Sequence, residues 1–498
     1  MRQPAHPRTL TKPGTAPARP RSIGVALDIH AEREPDRPAL TMDGDTLSRR
    51  ELAARVHRRA RTLAAHGVEQ GSFVAIVLPN GFAFMELAFA AWSLGATPVP
   101  VSDKLPAAEI EAILALVAPR LVVSDHAFPS SWPTLPERET RGPTMDDGPP
   151  PEVVAPHMKA IASGGSTGTP KVIVDIAPGL LDPDAPLLGM KRDDVLLNPG
   201  PLYHAAPFGM TAYALAWGLH VVLMPRFDAE ETLRLIDRHR VTWLYQVPTM
   251  MHRIWSLPET VRTGHDISSL DMVLHIAAPC PAWLKEKWID WVGADTLWEV
   301  YTGAEALGGT AINGAEWLEH RGSVGRVLPG FSLRVIDPNG ADCAPGEVGE
   351  IYFLPDRGQG STYRYLGAAA KSAGVFETFG DLGHVDAEGW LYLADRRVDL
   401  ILVGGANVYP AEVEAAIDAF PGVLSSVVVG LPDADLGQRI HAVIEAGDGA
   451  LDEAALRTFL VGRLARYKLP RSYEFTTERL RDDAGKVRRS AVRAARLG

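Results

Sequence analysis

Cysteine is nearly absent from this chain: Cys280 and Cys343 are the only two in 498 residues. Two thiols without metal-ligand spacing exclude a disulfide framework and a cysteine metal site, and a reducing compartment, the cytoplasm, is expected. Basic excess is also missing. The formal net charge of -11 argues against a nucleic-acid partner, whose phosphates demand the opposite sign. No apolar run is long enough to span a membrane. The most hydrophobic stretch, Phe82 to Val101, contains Glu86 and is broken by Gly95, Pro98 and Pro100, short of the ~20 clean residues required. The N-terminal segment, rich in Pro and Arg, lacks the apolar core of a secretory signal, so residues 1–22 are expected to be a disordered tail. What remains, 46% apolar and 22% charged, is the composition of an ordinary soluble globular enzyme large enough for two domains.

The most informative segment present is Ser163-Gly164-Gly165-Ser166-Thr167-Gly168-Thr169-Pro170-Lys171. Glycines let backbone N–H groups approach an anion closely, the hydroxyls add donors, and Lys171 adds a compact positive charge. A Gly/Ser surface linker is the commoner reading of such composition. The flanks oppose it: Ile161-Ala162 and Val172-Ile173-Val174 read as short buried strands, which makes the segment a turn held inside a domain. It is a polyphosphate cradle of unusual type. Walker spacing fails because Thr169-Pro170 intervene before the lysine, and there is no G-x-G-x-x-G here.

Along the chain, Ser48 and Glu51 form a capping box opening a helix through Leu52, Val56, Ala60 and Leu63 that ends near Gly67. Phe73–Leu78 reads as a fully covered strand, Phe82–Leu94 as a buried helix, and further strands are expected at Leu121–Ser124 and Val221–Pro225. The alternation implies an α/β fold of layered, mostly parallel sheets. Pro129 to Pro156 reads as a surface connection. Past Gly330, Phe331–Asp337, Gly349–Leu354 and Gly389–Leu393 suggest a small antiparallel, β-barrel-like subdomain, and after Arg396 a compact α/β unit follows. The domains predicted are therefore 23–395, large, and 396–498, a small mobile lid.

Five later segments complete a pattern. They are Pro201-Leu202-Tyr203-His204-Ala205-Ala206-Pro207-Phe208, Glu299-Val300-Tyr301-Thr302-Gly303-Ala304-Glu305, Phe379-Gly380-Asp381-Leu382-Gly383 with Asp395-Arg396 beyond it, Val403-Gly404-Gly405-Ala406-Asn407-Val408-Tyr409-Pro410-Ala411-Glu412-Val413-Glu414, and Asp482-Asp483-Ala484-Gly485-Lys486. With the loop, in this order, they resemble the adenylate-forming (AMP-binding) superfamily, in its acyl-CoA synthetase branch. The look is closest to bacterial ligases of bile acids and aryl acids.

The resemblance implies ATP and Mg2+ as cofactors and a role for each matched residue. The Ser163–Lys171 loop covers the phosphates, with Thr167 beside the metal. His204 lines the acyl pocket, Glu305 holds Mg2+, and Tyr301 stacks on adenine beside Thr302, opposite a wall at Ala277–Pro281 that includes Ala278 and Pro279. Asp381 takes the ribose hydroxyls, Arg396 the ribose or a phosphate, Gly404-Gly405 the thiol's entry, and Lys486 bridges carboxylate and α-phosphate. Taken singly, His204 is more often a satisfied core histidine, and Asp381, Arg396 and Lys486 more often surface charges. The chain departs from the family at Thr302 (usually glycine), Ala304 (usually a phosphate-binding threonine), Phe379 (usually threonine) and Val398 (usually a polar hinge).

The expected reaction joins a carboxylic acid, aryl or ring-bearing, to CoA through an acyl-adenylate, releasing AMP and pyrophosphate. The lid is expected to rotate near 396–398 between the two steps. Tyr203–Phe208 has no acidic residue to hold an α-amino group, which disfavours amino-acid activation, and a stand-alone ligase, monomer or homodimer, is expected. Three alternatives are weighed: a diazotase activating nitrite towards an aryl amine, a degenerate nucleotide-binding protein, and a generic ATPase.

Overall fold

A computed structural model describes residues 19–126, 132–142, 148–164, 170–396, 399–403, 406–433, 436–447, 451–482 and 485–497. Residues 1–18 of the expected tail lie outside the described residues, but its end is built into the fold: Arg21–Ser22 pairs antiparallel with Leu180–Leu181 and Ser22 is buried. The capping box forms as expected: the Ser48 side chain accepts from the Glu51 amide, Glu51 reaches back to the Ser48 amide, and the helix runs Arg49–Ala65. Its Leu52, Val56, Ala60 and Leu63 are buried. The apolar Phe82–Ser93 helix is buried almost all round, against that helix and the Phe73–Val77 and Thr97–Val101 strands, which is why its sequence shows no stripe. Its Glu86 is tolerated there because Arg59 Nε (2.5 Å) and Arg55 Nη1 (3.3 Å) donate to it.

Phe73–Val77 pairs in parallel with Thr97–Val101 and Leu121–Ser124, and the latter with Thr134–Leu135. The stretch expected as a plain surface connection is thus partly built in. Thr134–Leu135 extends a sheet, and a 3-10 turn at Glu137–Arg141 is anchored by Arg59 Nη2 on Glu137 Oε1 at 2.6 Å.

A second, larger sheet carries the parallel strands Val195–Asn198, His220–Leu223, Trp243–Gln246, Met272–Ile276 and Leu297–Thr302. Antiparallel Gly309–Asn313 and Ser323–Val327 continue its edge. Through them Leu391–Arg396, Asp381–Val385 and Gly349–Pro355 hydrogen-bond into the same path, so the antiparallel strands expected past Gly330 hang directly on the parallel sheet. A three-stranded antiparallel sheet joins Ala160–Gly164, Pro170–Asp175 and Tyr363–Leu366.

The pairing changes sheet between Arg396 and Ile401. Ile401–Val403 belongs with Ala406–Val408, the long hairpin Val423–Asp433/Gly437–Ala446, and Ser472–Thr476. These strands share a separate core of Ile401, Val408, Val413, Ile417, Val428, Leu456 and Leu460. The Pro410–Asp418 helix carries its proline in the first turn, where no intrahelical N–H is lost.

Candidate active site

The five parallel strands end on one side, and the segments singled out from the sequence leave from those carboxyl ends, where open α/β sheets place their ligands. Asn198 leads to His204, Ile276 to Ala277–Pro281, and Thr302 to Glu305, while Gln246 leads to Thr249, which was not singled out. Ala277 holds a left-handed φ of +79°, an uncommon conformation for a residue with a Cβ and one that clusters at functional sites.

The strands on either side of the glycine-rich segment form as its flanks predict and pair antiparallel, Ser163 with Lys171 and Gly164 with Pro170. Gly165, Ser166, Thr167, Gly168 and Thr169 lie outside the described residues, as does the side chain of Ser163. Lys171 is described in full. Its Nζ donates to Tyr365 Oη at 3.0 Å and lies 4.1 Å from the ring centroid, while Tyr365 Oη donates to Glu305 Oε1 at 2.6 Å. Lys171 Nζ is itself 3.5 Å from Glu305 Oε1. Burial, and then the Glu305 carboxylate, push the Tyr365 phenol well above its ordinary range, so it stays a donor.

Glu305 is buried, and the neighbouring Gly303 is required for its placement. A Cβ there would stand 2.5 Å from the Phe379 ring and 2.8 Å from Glu305 Oε2. Tyr301 Oη donates to Asp381 Oδ2 at 2.7 Å, and its ring meets Phe379 edge-on, 6.1 Å between centroids. A carboxylate accepts up to about four hydrogen bonds, so Asp381 retains capacity for both hydroxyls of a ribose. Asp381 faces Arg396 across the antiparallel pair, although the Arg396 side chain lies outside what is described. Thr302, where glycine was expected, uses its Oγ1 to close the turn on the Gly308 carbonyl at 2.7 Å. Ala304 packs against the apolar cluster of Ile173, Leu307 and Val324.

His204 caps the Ala205–Ala216 helix in extended conformation, with Nε2 3.7 Å from Asp482 Oδ2. Asp482 belongs to the C-terminal unit, so this contact brings the lysine-bearing turn to the strand ends. Gly485, at φ +74°, lies against the same region: a Cβ on it would stand 2.8 Å from Thr249 Oγ1 and 3.5 Å from Val247 Cγ2. Lys486 is exposed at this junction, its amide donating to Asp482 Oδ1 at 2.8 Å. The Pro248–Trp255 helix touches the C-terminal unit through Thr249 at Gly485, His252 Nδ1 on the Leu424 carbonyl (3.0 Å), and Arg253 Nη2 beside Glu445 Oε1 (3.9 Å). Arg488 adds a two-pronged bond to Glu109 at 3.0 Å on each oxygen. Gly404-Gly405 and Val398 lie outside the described residues.

The structure thus brings together Lys171 with Glu305, Tyr301 with Asp381, and His204 with the Gly485-Lys486 turn. Sequence reasoning missed Tyr365, Thr249, Asp482 and Glu109. Of these Asp482 stands in the quoted segment that ends at Lys486, although no role was given to it, and Tyr365 sits in the strand-like alternation Tyr363-Arg364-Tyr365. Mg2+ fits what is present. A buried carboxylate such as Glu305 suits an ion that takes most of its ligands from phosphates and water. No helix among the described residues is long and apolar enough to cross a membrane.

Comparison with known proteins places most of the chain in one family. A family model described as AMP-binding enzyme matches residues 27–366, and one described as AMP-binding enzyme C-terminal domain matches 412–486. Feruloyl-CoA synthase of Amycolatopsis sp. is 33% identical over 488 residues, 93% of this chain and 96% of the relative. Indoleacetate–CoA ligase of Aromatoleum aromaticum is 32% identical, covering 94% and 96%. Among solved structures, o-succinylbenzoate CoA synthetase from Bacillus subtilis with its acyl-adenylate intermediate superposes with a TM-score of 0.80 at 25% identity, covering 96% of this chain and 99% of that one. The same synthetase has been solved with ATP and a magnesium ion, at a TM-score of 0.77.

Proposed function

The chain belongs to the AMP-binding enzyme family, and from that premise we propose that it is an ATP-dependent carboxylate–CoA ligase acting on an aryl or ring-bearing acid. The likenesses to ligases of ferulate, indoleacetate and o-succinylbenzoate support the acid–thiol class and the ring. They do not favour nitrite activation or a degenerate nucleotide-binding protein.

The observation that carries the reading is the seating of the Gly485-Lys486 turn against Thr249 and beside His204. Two anions, the acid's carboxylate and the α-phosphate, must meet for an adenylate to form, and a lysine at their junction offsets the charge that builds up. His204 and the Val247–Thr249 segment border the acid's carboxyl end. Tyr301 and Asp381 take the adenosine, with the Ala278-Pro279 segment opposite. Lys171 and the loop before it hold the β- and γ-phosphates, and Glu305 is the ligand for Mg2+. The ion supplies charge neutralisation across the phosphates. Arg396 is assigned to the ribose and Gly404-Gly405 to thiol entry, after the 396–498 unit turns relative to 23–395.

The test is incubation with Mg-ATP, CoA and ferulate, indole-3-acetate or 2-succinylbenzoate in turn, beside an arm with nitrite and an aminobenzoate. AMP and pyrophosphate are expected only with an acid, and Lys486→Ala is expected to lower that release at least a hundredfold. ADP as product, or turnover confined to the nitrite arm, would overturn the assignment.

A further inference from the structure

We propose that Arg481 is the positioning residue for Lys486, and that it is itself set by the buried carboxylate of Glu414. The inference deepens, and rests on, the adenylation role given to Lys486. Arg481 and Glu414 are both largely withdrawn from solvent, with side chains 13% and 7% exposed. The planar guanidinium is fixed by four groups. Nη2 donates to Glu414 Oε2 and to the Ser426 carbonyl, each at 3.0 Å; Nε donates to Ser425 Oγ at 3.2 Å; and Nη1 donates to the Gly485 carbonyl, also at 3.2 Å. The last contact matters most, because that carbonyl belongs to the peptide bond joining Gly485 to Lys486.

Glu414 is held in turn from its other sides. The Val428 amide donates to Oε1 at 2.9 Å, and Arg489 Nη2 to both oxygens at 2.7 Å, while Arg489 Nη1 reaches Asp399 Oδ2 at 2.9 Å. Apolar packing on either side of the turn completes the mount, with Leu480 and Val487 against Val427, Val429 and Leu431. A charged fork in a low-dielectric setting gives short, directional bonds that a flexible ammonium does not reproduce.

Every member of this mount lies within the C-terminal unit, so it travels with Lys486 wherever that unit goes. That separates it from the contacts at Thr249 and Glu109, which belong to one posture. A mount for a lysine used only in adenylation should matter only there. Misplacing a reacting group by ~1 Å costs on the order of a hundredfold in rate.

The experiment measures the two half-reactions separately in the full-length enzyme, with the acid of the three above that gives the most AMP. Acid-dependent exchange of pyrophosphate into ATP reports adenylation, and release of thioester from the synthetic acyl-adenylate and CoA reports the second step. Arg481→Met and Glu414→Gln are each expected to lower adenylation kcat ten- to a hundredfold. The KM for ATP should stay within about threefold, as should the second step, whose normal rate also reports a folded C-terminal unit. Arg481→Lys should recover only part of the loss. Adding Arg481→Met to Lys486→Ala should cost nothing further, because residues acting as a unit are not additive. Equal losses in both half-reactions, an additive double variant, or normal adenylation in Arg481→Met beside a slow Lys486→Ala would each overturn the inference alone. Normal adenylation in Lys486→Ala would overturn the lysine's role, and the inference with it.

Discussion

A single phenol changes how Glu305 can be understood. Read in sequence, the carboxylate stands alone; in the structure Tyr365 donates to its Oε1 at 2.6 Å while accepting from Lys171 at 3.0 Å. The phenol therefore fixes the carboxylate's rotamer and links Glu305, the residue proposed to hold Mg2+, to Lys171 at the end of the glycine-rich segment. Tyr365→Phe keeps the ring under the Lys171 cation and removes the hydroxyl, and with it the bonds to Glu305 and from Lys171. A hydrogen bond to a charged group is worth about 1.5–3 kcal/mol. The Mg2+ concentration for half-maximal adenylation is accordingly expected to rise about tenfold or more, with the rate at saturating Mg2+ changed little. Titrating Mg2+ at fixed ATP checks this, and an unchanged midpoint would show that Glu305 is held without Tyr365. The roles of Glu305, Asp381 and Lys171 could be suggested from their motifs because each sits in a short, ordered string of unusual residues. Tyr365 lies 194 residues from Lys171 and 60 from Glu305, and only the pairing of Tyr363–Leu366 with Pro170–Asp175 brings the three together. Nothing local in the chain encodes that pairing.

Elements were most legible where local chemistry decides them. The Ser48 capping box, the Phe73–Val77 strand and Pro410 opening a helix all follow from a few adjacent residues, and all are present. What those elements do to each other was not legible. The Pro410–Asp418 helix shows the point. Its stripe of Val413 and Ile417 enters the core as the spacing predicts, yet Glu414 is also buried, and Asp418 at its end accepts from Ser426 Oγ at 2.6 Å on the adjoining Val423–Asp433 strand. Desolvation pushes the Asp418 carboxyl up to about 7, against the pull of Arg481. The sign follows from proton counts. Between the ordinary aspartate value near 3.8 and about 7, the folded state holds more protons at this site than the unfolded chain, so stability falls as pH rises through that window. Above it the penalty is complete. Asp418→Asn keeps the oxygen that accepts from Ser426 and removes the titration. The variant is expected to match the wild type near pH 4 and to melt about 4 °C or more higher near pH 8. Melting curves at both pH values decide it, and a constant difference between the two proteins would mean that Asp418 does not titrate in this window.

At the scale of the molecule, the chemistry proposed requires the C-terminal unit to sit down for one step and leave for the next, so its contacts with the large domain cannot be strong. The described contacts agree: a histidine on a carbonyl, a long Arg253–Glu445 approach, and the Arg488–Glu109 pair, whose side chains are 62% and 35% exposed. An exposed pair of this kind contributes about 0–1 kcal/mol and is screened by salt within ~8–10 Å. Since 1.4 kcal/mol is a factor of ten, removing it shifts the balance of docked and undocked states by about fivefold at most. Glu109 stands on the Ala107–Val117 helix, outside every group assigned to ATP or acid. Glu109→Ala is therefore expected to slow adenylation by about two- to fivefold at low salt and to leave thioester formation from a supplied adenylate unchanged or slightly faster. Raising NaCl from about 50 to about 500 mM should bring the wild type down to the variant's adenylation rate, while the variant stays flat, because the Debye length then falls below about 5 Å. Stopped-flow or exchange measurements across that salt series distinguish the outcomes. A wild type that is insensitive to salt and equal to Glu109→Ala would mean that the docked posture is held by the seating of Gly485 on Thr249, a steric contact that salt does not touch.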